Sequence, residues 1–200
     1  MNNQKDNLLL VFIKNPRKGK VKTRLAKTVG DQKALDVYRT LLSHTIKTAV
    51  SVKSRRQVWY SDFIDVQDDI NEPEFEKYLQ KGDNLGNRMN YAFNRGFKAG
   101  HQKIVIIGSD CPGITPQIIE RAFHELESRQ VVLGPSEDGG YYLLGMNRHC
   151  PEVFAGVSWS TDQVLAQTIS NIESNNLSHT MLPVLNDIDT AEDLENSRFF

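Results

Sequence analysis

Two hundred residues carry 24 Lys and Arg against 25 Asp and Glu, a formal net charge of −1, with 39% hydrophobic and 24% charged side chains. That length supports one domain, spanning 1–200, with a sizeable core and leaves little room for two. A pI near 6.5 excludes a general nucleic-acid binder, which would carry a basic excess across the whole domain, so any basic patch is local and suits a small anion. Cys111 and Cys150 follow no zinc or C-x-x-C spacing and the five histidines are scattered singly, which reads as reduced, buried thiols in a cytoplasmic protein. The polar start "MNNQKDN" leads into only six apolar residues before Lys14, too few for a secretory signal or a membrane span.

In chain order, "LLLVFI" (8–13) is continuously apolar and predicts a buried strand. Asp31 is placed as the cap of a long helix whose apolar face runs through Ala34, Leu35, Tyr38, Leu41, Leu42, Ile46 and Ala49. "QVWYS" (57–61) predicts a short strand, and the acidic stretch 62–76 a loop with a short helix. Leu85, Met89, Ala92, Phe93 and Phe97 define a second helix over 85–98, closed by Gly100. "KIVIIG" (103–108) is the clearest strand, and Thr115-Pro116 opens a third helix. "VVLGP" and "YYLLGM" are strands around "SEDGG", 161–175 is a fourth helix, "TMLPVLN" a late strand and "TAEDLENS" a closing helical turn. Strand–helix alternation of this kind predicts an α/β fold, a three-layer α/β/α sandwich on a mostly parallel mixed sheet. Ligands of such sheets bind at the carboxyl ends of strands, at the switch point.

The residues just past each strand are therefore the informative ones. After the first strand, residues 14–30 hold seven Lys or Arg and no acid. No Walker A or G-x-G-x-x-G pattern fits there. Lys14, Arg17, Lys18, Lys20, Lys22 and Arg24 around Gly19 offer bidentate and point-charge donors to phosphate oxygens; the alternative is a solvated face. After "KIVIIG", Asp110 is costly at a strand end without a partner. It is either a ligand for a divalent cation bridging to a diphosphate or a cap of the Pro112-Gly113 turn. Asp138-Gly139-Gly140 is a hairpin signal that also lets backbone approach a ligand. "WST" (159–161) reads as a core Trp with a helix cap, or as part of a site. Asp187 and Asp189 fall on one side of an extended segment, and Thr190 with Asp193 resembles a capping box that needs neither of them.

"FIKNPRKGKVKTRL", "QKGDNLGNRM", "IGSDCPGIT", "LGPSEDGGYYLLG", "VSWSTDQVLAQT" and "NDIDTAEDL" occur in order. Together they resemble the bacterial glycosyltransferase-like family with a GT-A fold, which includes arsenosugar-biosynthesis glycosyltransferases and belongs to the nucleotide-diphospho-sugar transferase superfamily. The likeness spans roughly 8–195 and extends, more distantly, to the guanylyltransferases of molybdenum cofactor and coenzyme F420. The resemblance implies that Lys14, Arg17, Lys22 and Arg24 hold nucleotide phosphates. It implies that Gly82, Leu85, Gly86 and Arg88, beside Asp83 and Asn84, lie where base and ribose are contacted. Asp110 would ligate Mg²⁺ or Mn²⁺, with Asp187 or Asp189 completing the metal site. Asp138 would serve the acceptor as a base, and Gly139 and Gly140 would line the acceptor side. This chain departs from the family pattern at Ile13, Asn15 and Asn84.

The expectation is a cytoplasmic, Mg²⁺- or Mn²⁺-dependent transferase moving a glycosyl group from a nucleotide-diphospho-sugar to a small-molecule acceptor. The alternatives are an NTP-dependent, pyrophosphate-releasing nucleotidyltransferase and a non-catalytic nucleotide-binding protein. No nucleic acid or membrane span is implied, and a homodimer is compatible with the sequence. Tyr141-Tyr142 either meets the acceptor or packs the hairpin.

Overall fold

The computed structural model describes residues 6–70, 73–197 and 199. Among these residues seven strands form one sheet: β1 Asn7–Ile13, β2 Arg55–Tyr60, β3 Glu76–Leu79, β4 Lys103–Ile107, β5 Val131–Pro135, β6 Tyr141–Met146 and β7 His179–Met181. Their spatial order is β3-β2-β1-β4-β6-β5-β7. β1 pairs in parallel with β2 and β4, and β2 with β3; only β6 runs against its neighbours β4 and β5. The α/β expectation with a mostly parallel mixed sheet is met.

β1 explains why its sequence is continuously apolar. Leu9, Val11 and Ile13 belong to the core on one face of the sheet, whereas Leu8, Leu10 and Phe12 belong to the core on the other. The first core is covered by α2 (Asp31–Val50) and α4 (Pro116–Glu125), the second by α3 (Leu85–Lys98) and α5 (Val164–Ser174). Burial on both faces removes the polar alternation that a half-exposed strand would show.

Three helix starts are capped by side chains, the last two at residues whose sequence signals marked them. Asn84 Oδ1 accepts from the Asn87 amide at 2.9 Å, Thr115 Oγ1 accepts from Ile118 at 3.3 Å with Pro116 opening α4, and Thr190 and Asp193 form a reciprocal capping box on α6 (Ala191–Asn196). Asp31 differs. It is the first residue of α2 and makes no capping bond; Gly30, at φ 81°, is the cap. The reason is an extra helix, α1 (Thr23–Val29), that the basic composition of 14–30 conceals. Gly30 closes α1 through its amide to Ala26 O and opens α2 through its carbonyl to Ala34 N, so no room remains for a side-chain cap.

Other boundaries shift for similar reasons. No helix occurs among the described residues of 62–76, and the half-buried, charged edge strand β3 follows, carrying none of the apolar run that marks a central strand. α5 starts at Val164 rather than 161, because Thr161 Oγ1 donates to Ser158 O at 2.7 Å and accepts from Gln163 N, holding a turn instead. The late strand stops at Met181, before Pro183, and the chain regains sheet contact where Leu185 pairs with Ser136. Cys111 and Cys150 are buried free thiols, in keeping with their expected role. Among the described residues no helix is long and apolar enough to cross a membrane.

Phe93 is fully buried on α3 against Phe97 and Phe154. Truncation to Ala leaves a cavity in the second core, and Phe93→Ala is expected to lose about 3–5 kcal/mol of stability, measured as a lowered urea midpoint with an unchanged slope.

Candidate active site

The strand order changes direction between β1 and β4: the chain winds outward from β1 to β3, then returns to lay β4 on the other side of β1. The loops following β1 and β4 therefore lie side by side at the carboxyl edge of the sheet, where such folds bind ligands. A cleft of about 630 Å³ opens there. Its walls come from the basic loop, α1, the Asp110 loop, the β5–β6 hairpin, 159–164 and the 187–189 segment.

Tyr38, counted in the sequence only as one apolar position of α2, holds the two switch-point loops together. Its hydroxyl accepts from the Lys14 amide, donates to the Lys14 carbonyl and meets Ser109 Oγ, each at 2.9 Å. Burial pushes this phenol up to about 12, so it stays a neutral hydrogen-bonding group at any physiological pH.

Lys22 is the centre of the charged end. Its ammonium lies 3.0 Å from Asp110 Oδ2 and 2.8 Å from Asp189 Oδ1, and its side chain is only 3% exposed. Burial alone would depress this amine; the Asp110 and Asp189 charges overcome that and hold it above its ordinary range. The backbone at Lys22 is left-handed, with φ 47° and ψ 46°, a conformation unfavourable for a residue with a Cβ. Asp187 completes the group. Its Oδ1 is buried without a hydrogen-bond partner, and burial, reinforced by the Asp110 charge, pushes the carboxyl up to about 8. Among the described residues no three acidic, His or Cys side chains close to metal-ligand spacing. Asp110, Asp187 and Asp189 do converge, with Lys22 bonded to two of them.

The other expected residues separate into two sets. Lys14, Arg24, Leu85, Asp138 and Gly140 line the cleft with Lys22 and the three aspartates. Asp138 Oδ1 accepts from Gly140 N at 3.0 Å, which holds the turn. Gly139, at φ 83°, lies so close to Asp162 that a Cβ would come within 2.2 Å of its carbonyl oxygen, a position only glycine can fill. Arg17 does not join them: it pairs with Asp62 at 3.1 Å and sits over the Phe63 ring. Gly82 and Arg88 shape the entry to α3, the guanidinium donating to Gly82 O at 3.0 Å, and Gly86 is the bed on which Trp159 packs, a Cβ there falling 2.3 Å from the indole. Trp159 packs against the second core and also lines the cleft with Ser160 and Thr161, so it belongs to both halves of the "WST" alternative. Tyr142 packs in the core, whereas Tyr141 lines the cleft. Tyr38, Ser136 and Asp162 are cleft residues that lie within stretches marked in the sequence but were given no site role there.

The architecture defines a class: the fold is that of the nucleotide-diphospho-sugar transferases, a GT-A-like scaffold. A protein of Desulfovibrio desulfuricans G20, provisionally described as a nucleotide-diphospho-sugar transferase, superposes with a TM-score of 0.89 at 31% identity over 98% of this chain and 90% of its own. The chain belongs to the family described as "Uncharacterized protein conserved in bacteria (DUF2064)", whose model matches residues 41–161. The same fold occurs in CMP:2-keto-3-deoxy-manno-octonic acid synthetase complexed with CTP (TM-score 0.57, 11% identity, 95% of each chain). It occurs again in Rv0371c of Mycobacterium tuberculosis H37Rv complexed with manganese (TM-score 0.55, 12% identity, 94% of this chain and 96% of that one). No curated protein matches the sequence.

The Asp187 shift has a stability consequence. An unfolded Asp ionises near 3.8, so between that value and about 8 the native state holds the extra proton, and stability falls as pH rises through this window. Asp187→Asn removes the titration. Its melting temperature is expected to exceed that of the wild type by roughly 5 °C at pH 8, the gap shrinking steadily toward pH 5 in scanning calorimetry.

Proposed function

We propose that this protein is a divalent-cation-dependent glycosyltransferase that moves a sugar from a nucleotide-diphospho-sugar to the hydroxyl of a small acceptor. The observation that carries the reading is the convergence of Asp110, Asp187 and Asp189 with Lys14, Lys22 and Arg24 at the switch point. Three basic and five acidic side chains line the cleft, the basic ones being Lys14, Lys22 and Arg24 and the acidic ones Asp110, Asp138, Asp162, Asp187 and Asp189. A diphosphate entering that cleft meets an excess of carboxylate, which a cation between the two sets of anions would offset.

The donor chemistry suits such a cation, although the three aspartates stand outside metal-ligand spacing with Lys22 between two of them and would have to close on it. The donors are all carboxylate oxygen, and one buried oxygen of Asp187 lacks any partner, chemistry suited to Mg²⁺ or Mn²⁺ rather than to a softer metal. Asp110, Asp187 and Asp189 would hold it, and when bound it supplies charge neutralisation to the diphosphate and Lewis acidity to the leaving group. Lys14 and Arg24 bind the phosphate oxygens, Arg24 as a bidentate donor. Leu85 lies against the base and ribose, with Gly82, Gly86 and Arg88 setting the turn that presents it. Asp138, on the turn that also exposes the Gly140 backbone, accepts the proton of the acceptor hydroxyl. The description of the Desulfovibrio relative supports the donor class, and the manganese and CTP complexes of the more distant structures support cation and nucleotide.

A second reading, nucleotidyl transfer from an NTP, is favoured by the three cations, since a triphosphate carries more charge than a diphospho-sugar. The products separate the two: a nucleoside diphosphate in the first case, pyrophosphate in the second. Calorimetric titration with UDP, GDP, CDP, ADP and the matching triphosphates, with and without Mn²⁺, is expected to show Mn²⁺-dependent binding of one diphosphate, weakened at least tenfold by Asp110→Ala. Tighter triphosphate binding would move the assignment to nucleotidyl transfer. Nucleotide binding with no product from any donor and acceptor would leave a nucleotide-binding protein, and no nucleotide binding at all would sink the reading.

A further inference from the structure

Lys22 stands where two demands conflict. Its ammonium is bonded to Asp110 and Asp189, the same oxygens that the metal-dependent reading assigns to a divalent cation. A cation ligating both oxygens at roughly 2.0–2.6 Å would stand within about 5 Å of an ammonium hydrogen-bonded to them. Two positive charges so placed in a half-buried site oppose each other. The aspartates are more open than the lysine, 37% and 43% exposed against 3%, so a solvated cation reaches the carboxylates from the open cleft while the ammonium lies beneath.

We propose that the Lys22 ammonium and a divalent cation are alternative occupants of the Asp110–Asp189 gap, so that metal loading releases Lys22 into the cleft as a phosphate ligand. The inference rests on the metal-dependent reading above and adds an order to it. In the metal-free protein Lys22 acts as the counter-ion that keeps two carboxylates from repelling each other. Once a dication takes that role, the lysine's long stem swings the ammonium toward the side of the cleft lined by Lys14 and Arg24.

The local backbone suits a side-chain swing rather than a loop movement. Lys22 is held in its left-handed conformation immediately before α1, whose Ala26 amide donates to Lys22 O at 2.8 Å, and Val21 beside it is buried against Leu35 and Tyr38. The Cα is thus fixed, and the four side-chain torsions are what remain to move. Asp187, one residue from the buried Ile188, lines the same cleft and carries a buried oxygen without a hydrogen-bond partner.

The test uses Mn²⁺ alone as probe, at pH 8, with two independent readouts. Mn²⁺ affinity is measured by loss of the free-ion electron paramagnetic resonance signal for the wild type, Lys22→Met and Asp110→Asn. Accessibility of Lys22 in the wild type is measured by amine acetylation and peptide mass spectrometry, with and without Mn²⁺, which needs no variant to fold. Lys22→Met is expected to bind Mn²⁺ at least tenfold more tightly than the wild type, because the competitor is gone. Acetylation of Lys22 is expected to rise at least fivefold when Mn²⁺ is added, an increase absent in Asp110→Asn. Mn²⁺ bound equally well or less well by Lys22→Met, with Lys22 protected throughout, would overturn the exchange while leaving the metal site standing. No Mn²⁺ bound by any of the three proteins would overturn the exchange together with the metal-dependent reading beneath it.

Discussion

The reversal of strand order between β1 and β4 is the constraint on which the site depends. A loop of unbalanced positive charge and a strand-end carboxylate are each unfavourable in isolation. Placed on adjacent parallel strands, they neutralise each other without needing any residue from the body of the sheet. β1 and β4 are fixed in register by backbone pairing from Leu8–Ile104 to Val11–Ile107, and both are buried on two faces. A one-residue slip would exchange the two cores as well as separate Lys14 from Ser109, so the packing of the sheet and the geometry of the cleft are specified by the same pairing.

Tyr38 carries that rigidity one step further outward. It is a helical residue whose ring belongs to a small satellite core with Val21 and Leu35, and its hydroxyl satisfies both backbone groups of Lys14. The start of the basic loop is therefore tied down by neutral hydrogen bonds rather than by its own charges. Lys14, Lys22 and Arg24 are thereby left to face the cleft. The loop's remaining positive charge is partly absorbed elsewhere, as the Arg17–Asp62 pair shows, and such exposed pairs contribute little to stability.

The parts of this molecule that could be read from sequence are those where one local signal suffices. Continuous apolar runs marked β1 and β4, periodicity marked α3 to its last residue, and Thr190 with Asp193 marked the start of α6. The parts that could not be read depend on partners far along the chain. α1 lies under a run of lysines because only Leu25 of its residues is buried, which gives no apolar period to detect. β3 is a strand only because β2 is there to pair with it. In the same way Asp110, Asp187 and Asp189 could each be suspected from position, but the role of Tyr38, 24 residues from Lys14 and 71 from Ser109, has no local signature. Arg17 is the converse case: nothing within 14–30 distinguishes it from Arg24, and Asp62 and Phe63, far along the chain, decide which way it turns.

The cleft also shows where the fold tolerates unfavourable local states. Three described non-glycine residues have positive φ, and two of them, Lys22 and Ser160, line this one cavity. A buried carboxylate oxygen without a partner and a carboxyl that retains its proton to about 8 lie in the same place. Each costs stability, and each is retained only where surrounding structure over-determines it. Strain at Lys22 positions its ammonium over two carboxylates; the turn at Ser160 follows the Trp159 ring packed on Gly86. Burial raises the Asp187 carboxyl above its ordinary range, so at low pH a proton removes the charge that its buried environment disfavours. These features concentrate in one cleft whose walls carry both signs of charge, the aspartates on one side and Lys14 and Arg24 on the other. The proposed metal-bound nucleotide diphosphate carries both signs of charge in one molecule and so complements both walls, whereas a free anion complements only the second.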